Sequence, residues 1–188
     1  MKKLLKLLIA LLLVITVTIG ALELFSSYRP STDIHTNAAV TTKHTIIIHA
    51  PAEKVWQVMS DINNWSSWQK QIPSIKLNGP LQAGSSFDWK NKGLTIHSTL
   101  HTVTPMHKLG WSGKALGAFA IHNWILMPKG DYTEVTVEES MEGWLVWLLK
   151  GRFRSELDKS LTYWLGALKT AAEPGKRCSS RGHGSLRL

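Results

Sequence analysis

The stretch IIIHAPAEKVWQVMSDINNWSSWQ, Ile46 to Gln69, changes its hydrophobic period in the middle. Before Pro51 it is β-branched and short, the pattern of a strand in which Ile46 and Ile48 point one way and Ile47 the other. After Pro51, Val55 and Met59 recur at helical spacing and Glu53 suits the positive end of a helix. Pro51 itself suits the first turn, where a backbone donor has no intrahelical partner to lose. Trp65 and Trp68, at i, i+3, mark a second short helix within Asp61 to Gln71. A strand that hands over directly to two short helices commits the chain to mixing the two kinds of structure.

Beyond this stretch the sequence reads as strands. IPSIKLNG, SSFDWKN, LTIHSTLHTV, KLGWSGKA, AFAIHNWILM and YTEVTVEESM each alternate in part, with turn signals KNKG, TPMH and PKGD between them. The last element is helical: Val146, Leu149, Phe153, Leu157, Leu161, Trp164 and Leu168 recur at spacings of three and four. No internal repeat is visible. The predicted order is one strand, two short helices, six antiparallel strands and one long C-terminal helix.

The chain has 188 residues, 44% of them hydrophobic, enough for one domain with a real core. Its net charge of +9 divides evenly: residues 1–30, residues 31–172 and residues 173–188 each carry +3. The central part spreads its charge without a basic stripe, so nucleic acid is not an expected partner. The single cysteine, Cys178, lies in the polar tail and permits no intrachain disulfide.

The first 25 residues, MKKLLKLLIALLLVITVTIGALELF, hold three lysines and then an uncharged run from Leu7 to Leu22, ended by Glu23. Leu4, Leu5, Leu24 and Phe25 lengthen the run, with Lys6 snorkelling, toward the ~20 apolar residues of a spanning helix. The only small-residue cleavage pattern, Ile19 to Ala21, is weak and carries no lipidation cysteine. The expectation is an uncleaved single-pass anchor, favoured over a removed signal peptide, contacting the membrane through residues 4–25, with the N-terminus cytoplasmic and the domain on the far side. Residues 26–43 are polar, contain Pro30 and read as a linker with little order. Residues 44–172 form the folded domain, and 173–188 a disordered basic tail.

The run I-x-A-P-A-E-x-V-W-x-x-M-S-D-I-x-N-W-x-x-W at Ile48 to Trp68, with HNWILMPKGDYTEVTVEESMEG at His122 to Gly143, resembles the polyketide cyclase/dehydrase-like branch of the START/Bet v 1 (SRPBCC) superfamily. The resemblance spans roughly residues 43–172 and implies an α+β helix-grip fold. In such a fold a curved seven-stranded antiparallel sheet surrounds the long C-terminal helix, and an apolar ligand occupies the cavity between them. The membrane segment and the basic tail lie outside the family pattern.

Reactive chemistry is sparse. His97 and His101 are i, i+4, a zinc-ligand spacing on a helix, but in a strand four residues span ~13 Å, too far for one metal. Alternation puts Leu94, Ile96, Ser98 and Leu100 on one face and both histidines on the other, at the surface. No HExxH, CxxC or G-x-S-x-G occurs, and neither a metal nor another cofactor is expected. Ser60, Ser66 and Ser67 sit at helix edges, and GKALG, Gly113 to Gly117, reads as a turn rather than a phosphate loop.

The last hairpin is more informative. With Lys129 and Gly130 at the centre of its turn, Trp124 falls opposite Val135, His122 opposite Val137 and Ala120 opposite Glu139. One face then carries Ala120, His122, Trp124, Leu126, Val135, Val137, Glu139 and Met141, with His122 and Glu139 as diagonal neighbours. The opposite face, Phe119, Ile121, Ile125 and Met127, is also apolar, and a bulge would exchange the two. Candidate ligand-binding residues are Phe87, Trp89, Leu109, Trp111, His122, Trp124, Val137, Glu139, Leu161 and Trp164. Trp65 and Trp68 close one end of the cavity. Trp144 and Trp147, followed by Lys150, Arg152 and Arg154, have the makings of an interfacial segment, although a packed helix start is the simpler reading.

Three functions fit: a membrane-anchored module that holds a lipid or other small hydrophobic molecule, a cyclase/dehydratase-type enzyme using His122 and Glu139 as acid/base groups, or an interaction protein that uses an exposed strand face. The first is preferred, because so little chemistry is present for turnover.

Overall fold

The structure is a computed structural model that describes residues 1–91 and 93–173; the basic tail beyond Glu173 lies outside the described residues. The elements run α1 (Lys2–Phe25), β1 (Val40–Ile48), α2 (Ala52–Ser60), a 3-10 turn (Ile62–Asn64), α3 (Trp65–Trp68), β2 (Ile75–Asn78), β3 (Ser86–Asn91), β4 (Leu94–Thr104), β5 (Lys108–Ala115), β6 (Ala118–Pro128), β7 (Thr133–Glu142), α4 (Trp144–Leu148) and α5 (Lys150–Ala172). The seven strands form one antiparallel sheet in the order β1-β7-β6-β5-β4-β3-β2. Helix α5 lies across its concave face, burying Leu157, Leu161, Trp164, Leu165 and Leu168. This is the expected α+β helix grip.

The change of period at Pro51 has its predicted effect. Ile48 is fully buried while Ile47 faces solvent. Pro51, in an extended conformation, caps α2 from outside rather than opening its first turn, and Ala52, Val55 and Met59 form the buried stripe of that helix. The C-terminal end of α5 is pinned to β1: Lys169 Nζ donates to the Ile47 carbonyl at 2.6 Å, and the His49 amide donates to Glu173 at 2.9 Å.

The structure differs from the sequence reading in several places. The hairpin β6–β7 turns through four residues, with the Lys129 amide donating to the Tyr132 carbonyl, not through a two-residue turn. Its true register therefore sets Trp124 against Val137, His122 against Glu139 and Ala120 against Met141. Because the shift is by two residues, every side chain keeps its face. The C-terminal helical pattern is broken at Leu149, which leaves helical geometry (φ −113°, ψ 30°) and separates α4 from α5. Leu149 is exposed, so its place in the apolar period was fortuitous.

The polar segment after α1 is docked, not loose, and β1 begins at Val40 instead of His44. Tyr28 stacks on Phe119 with ring centroids 5.4 Å apart. The Thr32 carbonyl accepts from Asn123 and Lys108, and the His35 amide donates to Ser140. Thus the segment crosses the convex face of β5, β6 and β7, which explains why Phe119 and Ile121 are buried although they point away from α5. An apolar outer face calls for a cover, and this segment supplies it; of the four residues on that face only Met127 is largely exposed.

His97 is a surface residue paired with Asp88 at 2.7 Å. His101 is half-buried instead, at a bulge between Leu100 and Thr102, where its Nδ1 meets the Thr102 hydroxyl. No group of three or more His, Cys, Asp or Glu side chains suited to a metal exists among the described residues.

Candidate functional site

The concave face of the sheet is filled differently at its two ends, and the cause is side-chain size. On β5 and β6 the residues nearest the β4–β5 turn are Leu109, Trp111, Trp124 and Leu126, all buried. Those nearest the β5–β6 turn are Gly113, Ala115, Ala118 and Ala120. The two sets lie side by side because of the register, with Leu109 opposite Trp124 and Gly113 opposite Ala120. Large residues therefore make a solid half and small residues leave a hollow one. At Gly113 even a methyl would come within 2.8 Å of Ser98 Oγ and 3.0 Å of the His97 carbonyl.

The solid half is an aromatic cluster. Trp65, brought in by α3, packs its ring 5.2 Å from Trp164, 5.3 Å from Trp111 and 5.8 Å from Phe87, and donates its indole N–H to the Met59 carbonyl at 2.8 Å. Tilted and edge-on aromatic pairs of this kind add to what burial alone contributes. Trp68 closes the outer side of the cluster against Trp164. Trp65 and Trp68 lie in this cluster and are not among the residues that line the cavity.

The hollow half is a cavity of about 410 Å³. Its floor is Trp111, His122 and Trp164; Trp89, Ile96 and Ser98 form one side, Ala120, Glu139 and Met141 the other; Phe153, Leu157 and Leu161 of α5 form the roof. At its rim stand the exposed Lys114, Ala115, Glu156 and Lys159, close to the β5–β6 turn and the start of α5. The volume falls within the roughly 300–1,000 Å³ typical of small-molecule sites.

Within these largely apolar walls, besides the Trp89 indole N–H donating to Ser98 Oγ at 3.1 Å, lies a pair of ionisable side chains. His122 and Glu139 are directly opposed across β6 and β7, and His122 Nδ1 is 2.5 Å from Glu139 Oε2. The imidazole is sandwiched on Trp111, ring centroids 4.2 Å apart and planes 14° from parallel. With Nδ1 committed to the carboxylate, Nε2 remains buried and has no protein partner. The carboxylate fixes the proton on Nδ1, which leaves Nε2 as an acceptor in the neutral ring or a donor in the cation. An unpaired buried nitrogen costs stability unless a guest satisfies it.

Of the residues singled out from the sequence, Trp89, Trp111, His122, Glu139, Leu161 and Trp164 border the cavity. Phe87, Leu109, Trp124 and Val137 do not; they are buried beneath the aromatic layer, in the solid half. Sequence reasoning missed Ile96, Ser98, Gly113 and Phe153. Ile96 and Ser98 were legible in the alternation of β4. The GKALG segment, read as a turn, is what hollows the cavity.

No curated protein matches the chain by sequence. The sequence profile of the family described as "Polyketide cyclase / dehydrase and lipid transport" matches residues 39–173. Among solved structures, a hypothetical protein from Helicobacter pylori is similar with a TM-score of 0.67 at 18% identity, over 79% of this chain and 96% of that one. The Zhui aromatase/cyclase from Streptomyces sp. R1128 gives 0.60 at 14% identity, over 70% and 92%. A START superfamily protein from Mycobacterium smegmatis gives 0.57 at 14% identity, over 70% and 96%. At these identities the likeness is one of fold.

Proposed function

Because the chain belongs to the polyketide cyclase/dehydrase and lipid-transport family, we propose that it is a membrane-anchored binding module that holds a lipid or other small hydrophobic molecule in the cavity under α5. The observation that carries this reading is the cavity itself: a 410 Å³ hollow with apolar walls and one buried, unpartnered nitrogen, His122 Nε2. Apolar walls supply binding without choosing an orientation, and a single polar atom chooses it. A guest carrying one hydroxyl or carbonyl among apolar atoms suits such a site. Helix α1, 24 residues long, mostly apolar and with no buried side chain, is long enough to cross a bilayer and supports the anchored reading. On this reading its lysine-bearing end is cytoplasmic.

The test is native mass spectrometry of the full chain released gently from membranes. Bound apolar molecules displaced by His122→Trp, which fills the cavity, support the proposal. A protein that is always empty, and takes up no fluorescent fatty acid, refutes it.

A second reading is favoured by the 2.5 Å contact of His122 with Glu139. As a cyclase/dehydratase-type enzyme, the protein would use Nε2 to take a proton from an acidic C–H of a polyketide-like or terpenoid substrate, with Glu139 stabilising the imidazolium. Turnover abolished in His122→Ala while binding persists would select this reading over simple binding.

A further inference from the structure

Eight large hydrophobic residues C-terminal to α1 are exposed among the described residues: Ile47, Leu94, Leu116, Met127, Trp147, Leu148, Leu149 and Tyr163. Five of them, Leu94, Leu116 and Trp147 to Leu149, belong to a single end of the molecule. There the β3–β4 turn, the β5–β6 turn, the end of β7 and all of α4 come together, because β4, β5, β6 and β7 are consecutive antiparallel neighbours. It is also the end at which the cavity opens, with Lys114 and Ala115 on its rim.

The end of the apolar helix is fastened at the same place. Glu23, the residue that interrupts the apolar run, accepts hydrogen bonds from the Gly117 amide at 2.5 Å and from the Trp144 indole at 2.8 Å. Gly117 sits in the β5–β6 turn with φ +66°, and a Cβ there would strike Leu145 and Trp144. Only a glycine lets α4 close over the turn, which in turn presents both donors to Glu23. The carboxylate is thus a latch between α1 and the mouth of the cavity. Leu24 and Phe25, just past it, are exposed as well. Beyond α4 come Lys150, Arg152 and Arg154, all exposed, on the first turns of α5.

We infer that this end of the domain rests on the bilayer, with Leu116, Trp147 and Leu148 inserted among the headgroups, Lys150, Arg152 and Arg154 against anionic lipid phosphates, and the cavity mouth turned to the membrane surface. The inference builds on the reading of α1 as an anchor and deepens the proposed function. Its physical basis is continuity: a helix that leaves the bilayer at Phe25 and is latched at Glu23 cannot hold Trp147 far from the interface. Tryptophan and basic residues at the two sides of an apolar patch are the composition that interfaces select. The exposed leucines, a liability in water, are explained by the same placement. A ligand then passes between membrane and cavity without crossing bulk water.

The experiment uses the full chain in lipid nanodiscs, with Cys178→Ser as background and a single nitrobenzoxadiazole label introduced through Trp147→Cys, Leu148→Cys, Lys129→Cys or Leu12→Cys. Lys129, in the β6–β7 turn, reports from the far end of the sheet, and Leu12 from inside α1. Blue-shifted emission at positions 147 and 148, quenched by lipids spin-labelled on the acyl chain, is expected, and position 129 should keep the emission of a label in water. Phosphatidylglycerol should strengthen the quenching at position 147 relative to discs of phosphatidylcholine alone, and Arg152→Gln with Arg154→Gln should remove that gain. If position 12 is quenched and positions 147 and 148 are not, the docking fails while the anchor stands. If position 12 is also unquenched, both fall. A blue shift at 147 that spin-labelled lipids leave intact would mean that protein covers this surface, and would overturn the proposal too. Loss of ligand binding with quenching intact would instead sink the cavity reading alone.

Discussion

His122 and Glu139 stand opposite each other on β6 and β7, 2.5 Å apart, with the imidazole stacked on Trp111 and its second nitrogen buried and unpaired. The carboxylate is therefore half of an arrangement whose other half is left for a guest. Glu139→Ala removes the hydrogen-bond partner of the ring among the described residues and leaves both nitrogens unsatisfied. The expected loss is about 1–3 kcal/mol, read as a lower urea midpoint, with a saturating apolar ligand restoring part of it.

His122→Phe keeps the ring and its stacking but deletes both nitrogens. Such a variant leaves the largely buried Glu139 carboxylate without its partner and should lose about 1–3 kcal/mol of stability, but it should still bind purely hydrocarbon probes. Its affinity for hydroxyl- or carbonyl-bearing analogues should fall toward that for the hydrocarbons. Competition titration with matched pairs of ligands reads the difference, and equal discrimination in both proteins would remove His122 from the site.

Trp65 and Trp164 share the aromatic cluster but have different positions in it. Trp65 is buried in the solid half, and Trp65→Ala should cost about 3–5 kcal/mol. Trp164 borders the cavity, so Trp164→Ala enlarges it and should admit bulkier guests at a smaller loss of stability. Parallel denaturation and ligand-size series separate the two outcomes.

His101 gives the protein a pH dependence that does not involve the cavity. Burial, helped by the Lys108 charge and opposed by the Trp111 backbone and Asp33, pushes its pKa down from 6.5 to about 4. A depressed histidine pKa means that the unfolded chain binds the extra proton first. The contribution of neutral His101 is therefore complete above 6.5 and is lost as pH falls from there toward 4. In His101→Gln the urea midpoint should change less over that window than in the parent, and an unchanged slope would contradict the assignment.

Glu23→Ala cuts the latch to Gly117 and Trp144. The segment from Ser26 to Ala39 should then lift from the convex face more often, exposing Phe119 and Ile121 and becoming sensitive to limited proteolysis. The latch itself touches only the β5–β6 turn and α4, so the strand pairing and the packing of α5 should stay intact while the convex face is uncovered.

Much of this protein was determined by its sequence alone. The change of period at Pro51 set the end of the first strand and the start of the helix, KLGWSGKA contained β5 although its last three residues also read as part of a turn, and alternation assigned His122 and Glu139 to one face. These are local properties, which a period of two or of 3.6 writes directly into the chain. The tertiary structure decided what depends on distant neighbours. PKGDY is compatible with either a two- or a four-residue turn, and only the assembled sheet made His122 and Glu139 direct partners instead of diagonal ones. Small residues on β5 and β6 became a cavity, and large ones a plug, because strand register aligned them. Glu23 looked like the mere end of an apolar run until the β5–β6 turn and α4 brought two donors to it, a meeting across more than 90 residues of sequence separation that no local pattern encodes.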